Sequence, residues 1–161
     1  MLVFTRALVG AALTSAVLIS PATAMDIPAR AAGLWILKSQ DNPFADWSIC
    51  IDETKNDFID TDVWNNFADE CEVTASNIQG SSGKIEATCE LTEKSGAQLE
   101  LTFSGDFKSG YSFESVTEFV DAAGKTEKLH VGAEVTYAGE CPAELKPGMK
   151  KMTRSGLIIR Q

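Results

Sequence analysis

Histidine is nearly absent from this sequence, and its cysteines are too far apart to act as close pairs. The single imidazole is His130, and no two of the four cysteines are two to four residues apart. A nucleophilic hydrolase needs a base beside its serine or cysteine, structural zinc needs closely spaced ligands, and thiol oxidoreductases use a C-x-x-C pair. The sequence therefore indicates no catalytic residue, no metal site and no cofactor, and the alternation around His130 places it on a solvent face.

Positive charge is also scarce. Lys and Arg number 14 against 23 Asp and Glu, which gives a net charge of −9. Such a balance opposes the neutralisation of phosphates on which nucleic-acid binding relies, so nucleic acid is excluded as a partner. The length of 161 residues and the 44% hydrophobic content are typical of one globular domain.

The first 24 residues have the features of a secretory signal peptide. One positive charge, Arg6, precedes an apolar run over residues 7–19, and small residues follow as far as Ala24. The run is shorter than the roughly 20 residues that cross a bilayer, and Pro21 would interrupt its extension. We therefore predict cleavage after Ala24, export to the periplasm and no transmembrane segment in the mature chain.

The four cysteines stay in the mature chain, and an even number in an exported protein predicts two disulfides with three possible pairings. Apolar and polar residues alternate on both sides of a turn near Gly80, which predicts a hairpin. The turn lies midway between Cys71 and Cys89, so their sulfurs share one face and nearly oppose each other. We predict the disulfide Cys71–Cys89, which leaves Cys50 to pair with Cys141.

The same alternation continues as far as Tyr137, in runs separated by short polar or Gly-containing turns. Short connections favour an antiparallel meander over parallel crossovers. The expected fold is mainly β, a single domain over residues 25–141 with about six or seven strands that form a barrel or a sandwich-like sheet. One short helix is predicted over residues 61–69, where three apolar residues recur at helical spacing.

The predicted apolar face also carries hydroxyl groups. If the sheet closes, its interior could hold a small apolar ligand against six residues: Phe103, Tyr111, Phe113, Thr117, Phe119 and Tyr137. The alternative is a filled core whose hydroxyl groups bond internally. Acidic and amide side chains clustered over residues 56–70 have oxygen atoms that suit Ca²⁺, but they lack the EF-hand order, so capping and solubility explain them better.

Charge is segregated along the chain. Residues 25–141 carry 8 Lys and Arg against 22 Asp and Glu, whereas residues 142–161 carry 5 against 1. The basic C-terminal tail, 142–161, either docks on the acidic domain, with residues 156–159 as an edge strand, or meets anionic lipid headgroups or a partner protein. Docking is favoured, because the negative charge of the acidic domain attracts the tail and balances its few net positive charges.

Several short motifs occur in an order that resembles a known family. They are Gly33-Leu34-Trp35, a cysteine after the next extended segment, Cys71-Glu72-Val73 before a turn and a third cysteine, Phe103-Ser104-Gly105-Asp106, and Gly139-Glu140-Cys141. This order resembles the small exported Gram-negative proteins described as the domain of unknown function 3617 family. The resemblance covers about residues 32–141 and implies a periplasmic β-rich domain without an assigned activity. Arginines that the family often has before its last cysteine are missing here.

These observations predict an exported periplasmic protein that is not an enzyme. Its expected role is a non-catalytic binding or interaction module of the cell envelope, with a small apolar ligand or an envelope component as its partner. One alternative is a structural or stress-related envelope protein without a ligand. The other is a hydrolase that uses two carboxylates, since 23 acidic residues supply many pairs.

Overall fold

The computed structural model describes residues 26–54, 56–63, 70–92, 95–121 and 123–160. These residues form nine strands: β1 (Gly33–Ser39), β2 (Trp47–Ile51), β3 (Glu70–Gln79), β4 (Ser82–Thr92), β5 (Ser95–Gly105), β6 (Gly110–Val120), β7 (Thr126–Gly139), β8 (Met149–Met152) and β9 (Ile158–Arg160). A 3₁₀ turn at Pro43–Ala45 and a π-helical turn at Ile59–Val63 accompany them.

The helix predicted over residues 61–69 is not found in the part of it that is described. Residues 61–63 belong to the π-helical turn, and residues 64–69 lie outside the described residues. A membrane-spanning helix would need greater length and apolar character than any helix in the described ranges has.

All nine strands of the described residues lie in one antiparallel sheet, in the order β3-β4-β5-β6-β7-β1-β2-β8-β9. The mainly β, antiparallel prediction is confirmed. The predicted barrel is wrong, because β3 and β9 lie at opposite edges and do not pair with each other. The nine strands exceed the six or seven expected for residues 25–141, because β8 and β9, with 4 and 3 residues, lie in the basic tail, where the sequence predicts an edge strand only if the tail docks.

Both predicted disulfides are confirmed. Cys71 lies directly opposite Cys89 in the β3–β4 hairpin, with 4.0 Å between their Cα atoms, and the two sulfurs are bonded. The second disulfide joins Cys50 in β2 to Cys141, which follows β7. The short bridge therefore closes a hairpin, and the long bridge ties an early strand to a late segment.

The alternation that predicts the first disulfide does not hold along the whole of β3. Val73 pairs with Ala87 and Ala75 with Glu86, so one extra residue on β3 shifts the register between them. A bulge of this kind exchanges the two faces of the strand beyond it. Strict alternation from Cys71 would direct Ala75 to the inner side. Because of the bulge this is wrong, and Ser76, opposite the buried Ile85, takes that face instead.

The core lies against the inner face of the sheet, defined here as the face on which Trp35, Ile49 and Ile85 are buried. Residues 56–63 pack against this face, and the Phe58 ring lies 5.2 Å from the rings of both Phe103 and Tyr111. A sheet with one apolar face has to cover that face with another layer. This segment supplies cover for the open sheet, where a barrel would have used its own strands.

Part of the basic tail belongs to the same sheet. β8 pairs with β2, where Met152 lies opposite Trp47, and β9 pairs with β8. The amide of Gly148 donates to the carbonyl of Cys50 at 2.8 Å, beside the long disulfide. Residues 149–160 thus continue the sheet beyond β2.

Candidate functional site

Two groups of polar side chains stand out, one on each face of the sheet. The first is the inner ionic cluster, which consists of Arg30, Asp62 and Tyr111. The Arg30 guanidinium lies 3.1 Å from Asp62 Oδ2 and donates to the Tyr111 hydroxyl at 3.1 Å. That hydroxyl donates to Asp62 Oδ2 at 2.6 Å. All three side chains are buried, so their polar atoms form hydrogen bonds to one another in place of the hydrogen bonds they would make to water.

The inner ionic cluster fastens the segment that covers the core. Arg30 also donates to the carbonyl oxygens of Asn56 and Asp57, at 3.2 Å each. The Asp57 carboxylate accepts from the amide of Ile59 at 2.8 Å, which starts the helical turn that carries Asp62. The single guanidinium thus holds both ends of residues 56–62 against the sheet.

Burial determines the protonation state of Tyr111. It raises the pKa of the phenol well above its ordinary value of 10.0, and the neighbouring Asp62 charge raises it further, whereas Arg30 opposes the shift. The phenol therefore keeps its proton and donates it to the carboxylate.

Lys150 is a second buried charge on the inner face. It lies opposite the buried Ile49, and its ammonium lies 4.3 Å from the centre of the Trp47 ring, in cation–π contact. Burial lowers its pKa from 10.5 to about 8, while the Asp62 charge acts against the shift and Arg30 acts with it. Lys150 is thus a base whose charge becomes unfavourable on folding.

This shift predicts that the protein becomes more stable as the pH rises above neutral. Between the folded pKa of about 8 and the ordinary value of 10.5, the unfolded chain binds more protons than the folded one. Stability should therefore increase by about 1 kcal/mol between pH 7 and pH 9. Urea titrations at both pH values would measure it.

Lys150→Met should remove this rise, and Lys151→Met serves as the matched control because Lys151 is a more exposed neighbour. The control should keep the rise. An equal rise in Lys150→Met and the unmodified protein would show that another group causes it.

The second polar group lines a depression on the opposite, outer face, with a volume of about 300 Å³. This outer depression is lined by Gln40, Thr102, Phe103, Ser104, Ser112, Phe113 and Glu114. Thr102 lies opposite Glu114 and Ser104 opposite Ser112, because β5 and β6 pair in register. Since the buried Phe103 and Phe113 alternate with these four residues, the hydroxyl and carboxylate groups share the outer face.

Gln40 forms one wall of the outer depression from a different part of the chain. Its backbone amide donates to the carbonyl of Gly132 at 2.8 Å, and its side chain occupies the space above that glycine. A Cβ at position 132 would lie 2.7 Å from Gln40 Oε1, which is too close. Gly132 in turn lies opposite Glu114, so the side-chain amide of Gln40 is held beside the outward side chains of β6.

The outer depression can hydrogen-bond but has little means of acid–base chemistry. Its hydroxyls and amide both donate and accept. Glu114 is the one ionisable group among the described residues that line it. Glycoside hydrolysis and most general acid–base mechanisms need a second group that faces the first.

The six residues predicted to face a ligand separate into two sets. Phe103, Tyr111 and Phe113 pack around the Phe58 ring, with centroid distances of 5.2 to 6.2 Å, so their side chains fill the core. Thr117, Phe119 and Tyr137 lie nearer the ends of the sheet. Of these, Thr117 is buried with a hydroxyl that makes no hydrogen bond, Phe119 is half-buried, and Tyr137 is partly exposed against Trp35.

The other candidate residues predicted from the sequence lie outside both polar groups or have structural contacts. His130 is exposed and lies 3.1 Å from Asp41, also exposed. In the acidic cluster of residues 56–70, Asp57 caps a turn and Asp62 pairs with Arg30, while residues 64–69 fall outside the described ranges.

Reasoning from the sequence missed both Arg30 and Gln40. Arg30 is the one arginine between Arg6 and Arg154, and this isolation among small residues is a weak sign of a special role. Gln40 gives no such sign, because its neighbour Gly132 is more than 90 positions away.

The fold defines an open, single-sheet antiparallel β protein that is stabilised by two disulfides. Pairing of all four cysteines indicates an oxidising, extracytoplasmic compartment. Comparison with known proteins gave no matching family model, no matching curated protein and no matching solved structure. The resemblance to the domain of unknown function 3617 family therefore stays a prediction.

Proposed function

We propose that this protein is exported to the periplasm and works there as a non-catalytic binding module for a hydroxyl-rich component of the cell envelope, such as a saccharide. The outer depression carries the proposal, because it is a cavity of about 300 Å³ whose side chains can hydrogen-bond in both directions. That volume lies at the lower limit of small-molecule sites, which span about 300 to 1,000 Å³.

The chemistry of the lining favours a polar ligand over the apolar one expected from the sequence. Ser104 Oγ lies 3.5 Å from Ser112 Oγ, so neither hydroxyl is tightly engaged with the other and both can turn to a ligand. Glu114 adds one acceptor to these groups. A sugar presents several hydroxyls that both donate and accept, which matches such a lining.

Export and the lack of catalysis rest on separate arguments. Two disulfides and the signal-like first 24 residues support an oxidising destination outside the cytoplasm. A single carboxylate beside hydroxyl groups supports binding more than hydrolysis, since a carboxylate-based hydrolase uses two.

Native mass spectrometry of protein recovered from the periplasm tests the proposal. The unmodified protein should carry an additional small mass that behaves as a saccharide on fragmentation. The double variant Ser104→Val, Ser112→Val keeps the strands but removes two hydroxyls. We expect it to bind about 30-fold more weakly and to carry much less of that mass, because each lost hydrogen bond contributes about 1 kcal/mol.

The pair Thr88→Val, Gln98→Val is the matched control. These two residues also lie opposite each other on the outward side of β4 and β5, six residues along β5 from Ser104, and they should leave the bound mass unchanged. A protein without additional mass would favour the structural envelope role instead. Equal loss in both double variants would place the ligand elsewhere.

A further inference from the structure

Large apolar side chains are exposed on the last strand of the sheet and beside it. Leu157, Ile158 and Ile159 are 58%, 38% and 42% exposed, and Phe44 is 67% exposed. Phe44 belongs to the same region, because the Arg154 guanidinium lies 4.1 Å from the centre of its ring. We call this surface the C-terminal edge and define it by these five residues. A cluster of exposed apolar groups usually marks an interaction site.

The strand register directs the apolar side chains to both faces of the sheet. Ile159 lies opposite Lys150, whose side chain is on the inner face, and Ile158 lies opposite Lys151, whose side chain is on the outer face. A protein partner that docked on one face would leave the other apolar group in water. A medium that surrounds the edge would cover both, and the interfacial region of a lipid bilayer is such a medium.

The segment that carries this edge is rich in basic residues, although the rest of the protein is strongly acidic. Of these residues, Arg154 lies over the Phe44 ring, and Lys151 is 40% exposed and lies 3.6 Å from Glu144. Residues 142–161 carry 5 Lys and Arg against 1 Glu, whereas residues 25–141 carry 8 against 22. An anionic membrane would repel the acidic part and attract the C-terminal edge, which fixes the orientation of approach. The same charges disfavour an edge-to-edge dimer, in which the two basic segments would face each other, and they favour an anionic lipid surface that can cover both faces of the edge at once.

We propose that the C-terminal edge binds anionic phospholipid surfaces, with Leu157, Ile158, Ile159 and Phe44 in the interfacial region and Arg154 and Lys151 against the headgroups. The contact is peripheral and reversible, because it combines a small apolar area with a few charges. It holds the protein at a membrane while the outer depression stays open to its ligand, and it does not depend on that ligand.

Sedimentation with lipid vesicles tests this inference. The protein is recovered after export, and its intact mass establishes at which residue it begins. It should bind vesicles of phosphatidylglycerol and phosphatidylcholine at least tenfold more strongly than vesicles of phosphatidylcholine alone. Binding should weaken at 0.5 M salt, because the Debye length falls to a few ångström. Equal binding to both vesicle types, or none, would overturn the inference without any variant.

Two double variants locate the contact. Arg154→Gln, Lys151→Gln removes two cations and should lower the partition coefficient about 30-fold, since each basic residue near the surface contributes about 1 kcal/mol. Leu157→Ser, Ile159→Ser should reduce it by at least tenfold. Thermal melts would show whether both variants keep the fold.

Matched controls come from β6, β7 and the turn between them. In the order of strands across the sheet, β6 and β7 are at least four strands away from β9. Val120→Ser, Leu129→Ser removes side chains of similar exposure, 51% and 41%, and Lys125→Gln, Lys128→Gln removes two exposed cations. Both controls should bind like the unmodified protein. Equal losses of vesicle binding in the controls and the edge variants would contradict the inference. So would an unmodified protein that does not bind vesicles but forms a concentration-dependent dimer, if the edge variants abolish that dimer.

Discussion

Replacing Cys50 and Cys141 together with alanine is expected to lower the free energy of unfolding by about 4.5 kcal/mol. The bridge closes a loop of 91 residues, and a cross-link stabilises a protein chiefly by restricting the unfolded chain. A loss of this size approaches the whole stability of a small domain, which is about 5 to 15 kcal/mol. Urea titration under non-reducing conditions would measure the change.

The Cys71–Cys89 bridge is the internal control for this prediction. It closes only 18 residues, so its removal should cost about 3 kcal/mol, and the difference between the two double variants should follow loop length. A larger loss from Cys71→Ala, Cys89→Ala would contradict the ranking. Both cysteines of a pair are replaced together so that no thiol is left to mispair.

Replacing Asp62 with asparagine is the second change with a large expected effect. The substitution removes the carboxylate that pairs with Arg30 at 3.1 Å in a buried site, and removing one partner of a buried ion pair costs about 3 to 5 kcal/mol. The same carboxylate accepts the Tyr111 hydroxyl, so a second hydrogen bond weakens with it. Chemical denaturation of Asp62→Asn would measure the loss.

A double-mutant cycle distinguishes the ion pair from general damage to the core. Arg30→Met, Asp62→Leu replaces both charges with apolar groups, and such exchanges are often close to neutral. The double variant should therefore be more stable than Asp62→Asn alone. The cycle is completed by the single variants Arg30→Met and Asp62→Leu. If the double variant lost as much stability as these two singles together, the two side chains would act independently, which would refute the pairing argument.

The β3–β4 hairpin and its disulfide could be predicted because they depend on local order. A two-residue period and a central turn bring Cys71 to Cys89 without information from distant parts of the chain. The bulge between Val73 and Ala75 could not be predicted, since inserting one residue leaves the polar pattern of an exposed edge strand nearly unchanged. The open topology could not be predicted either, because closure of a sheet into a barrel depends on pairing between its two edge strands, which are far apart in the sequence.

The candidate site was largely hidden for a related reason. Thr102, Ser104 and Ser112 face outward in the sheet, and outward polar residues look like ordinary solvated positions in any sheet. The depression arises only when Gln40, which follows β1, lies over Gly132 in β7. That contact comes from the pairing of β1 with β7, which joins segments about 100 residues apart.

The position of β1 and β2 in the sheet constrains how the chain can mature. These early strands lie between β7 and β8, so neither completes its pairing until nearly the entire polypeptide is present. If the chain is exported N-terminus first, as proposed above, Cys50 and Cys71 reach the oxidising compartment before Cys141. Oxidation in order of emergence would join the wrong thiols. Under the proposed export, the two native pairs form only if Cys50 stays reduced until Cys141 has emerged, or if a disulfide isomerase rearranges an early bond.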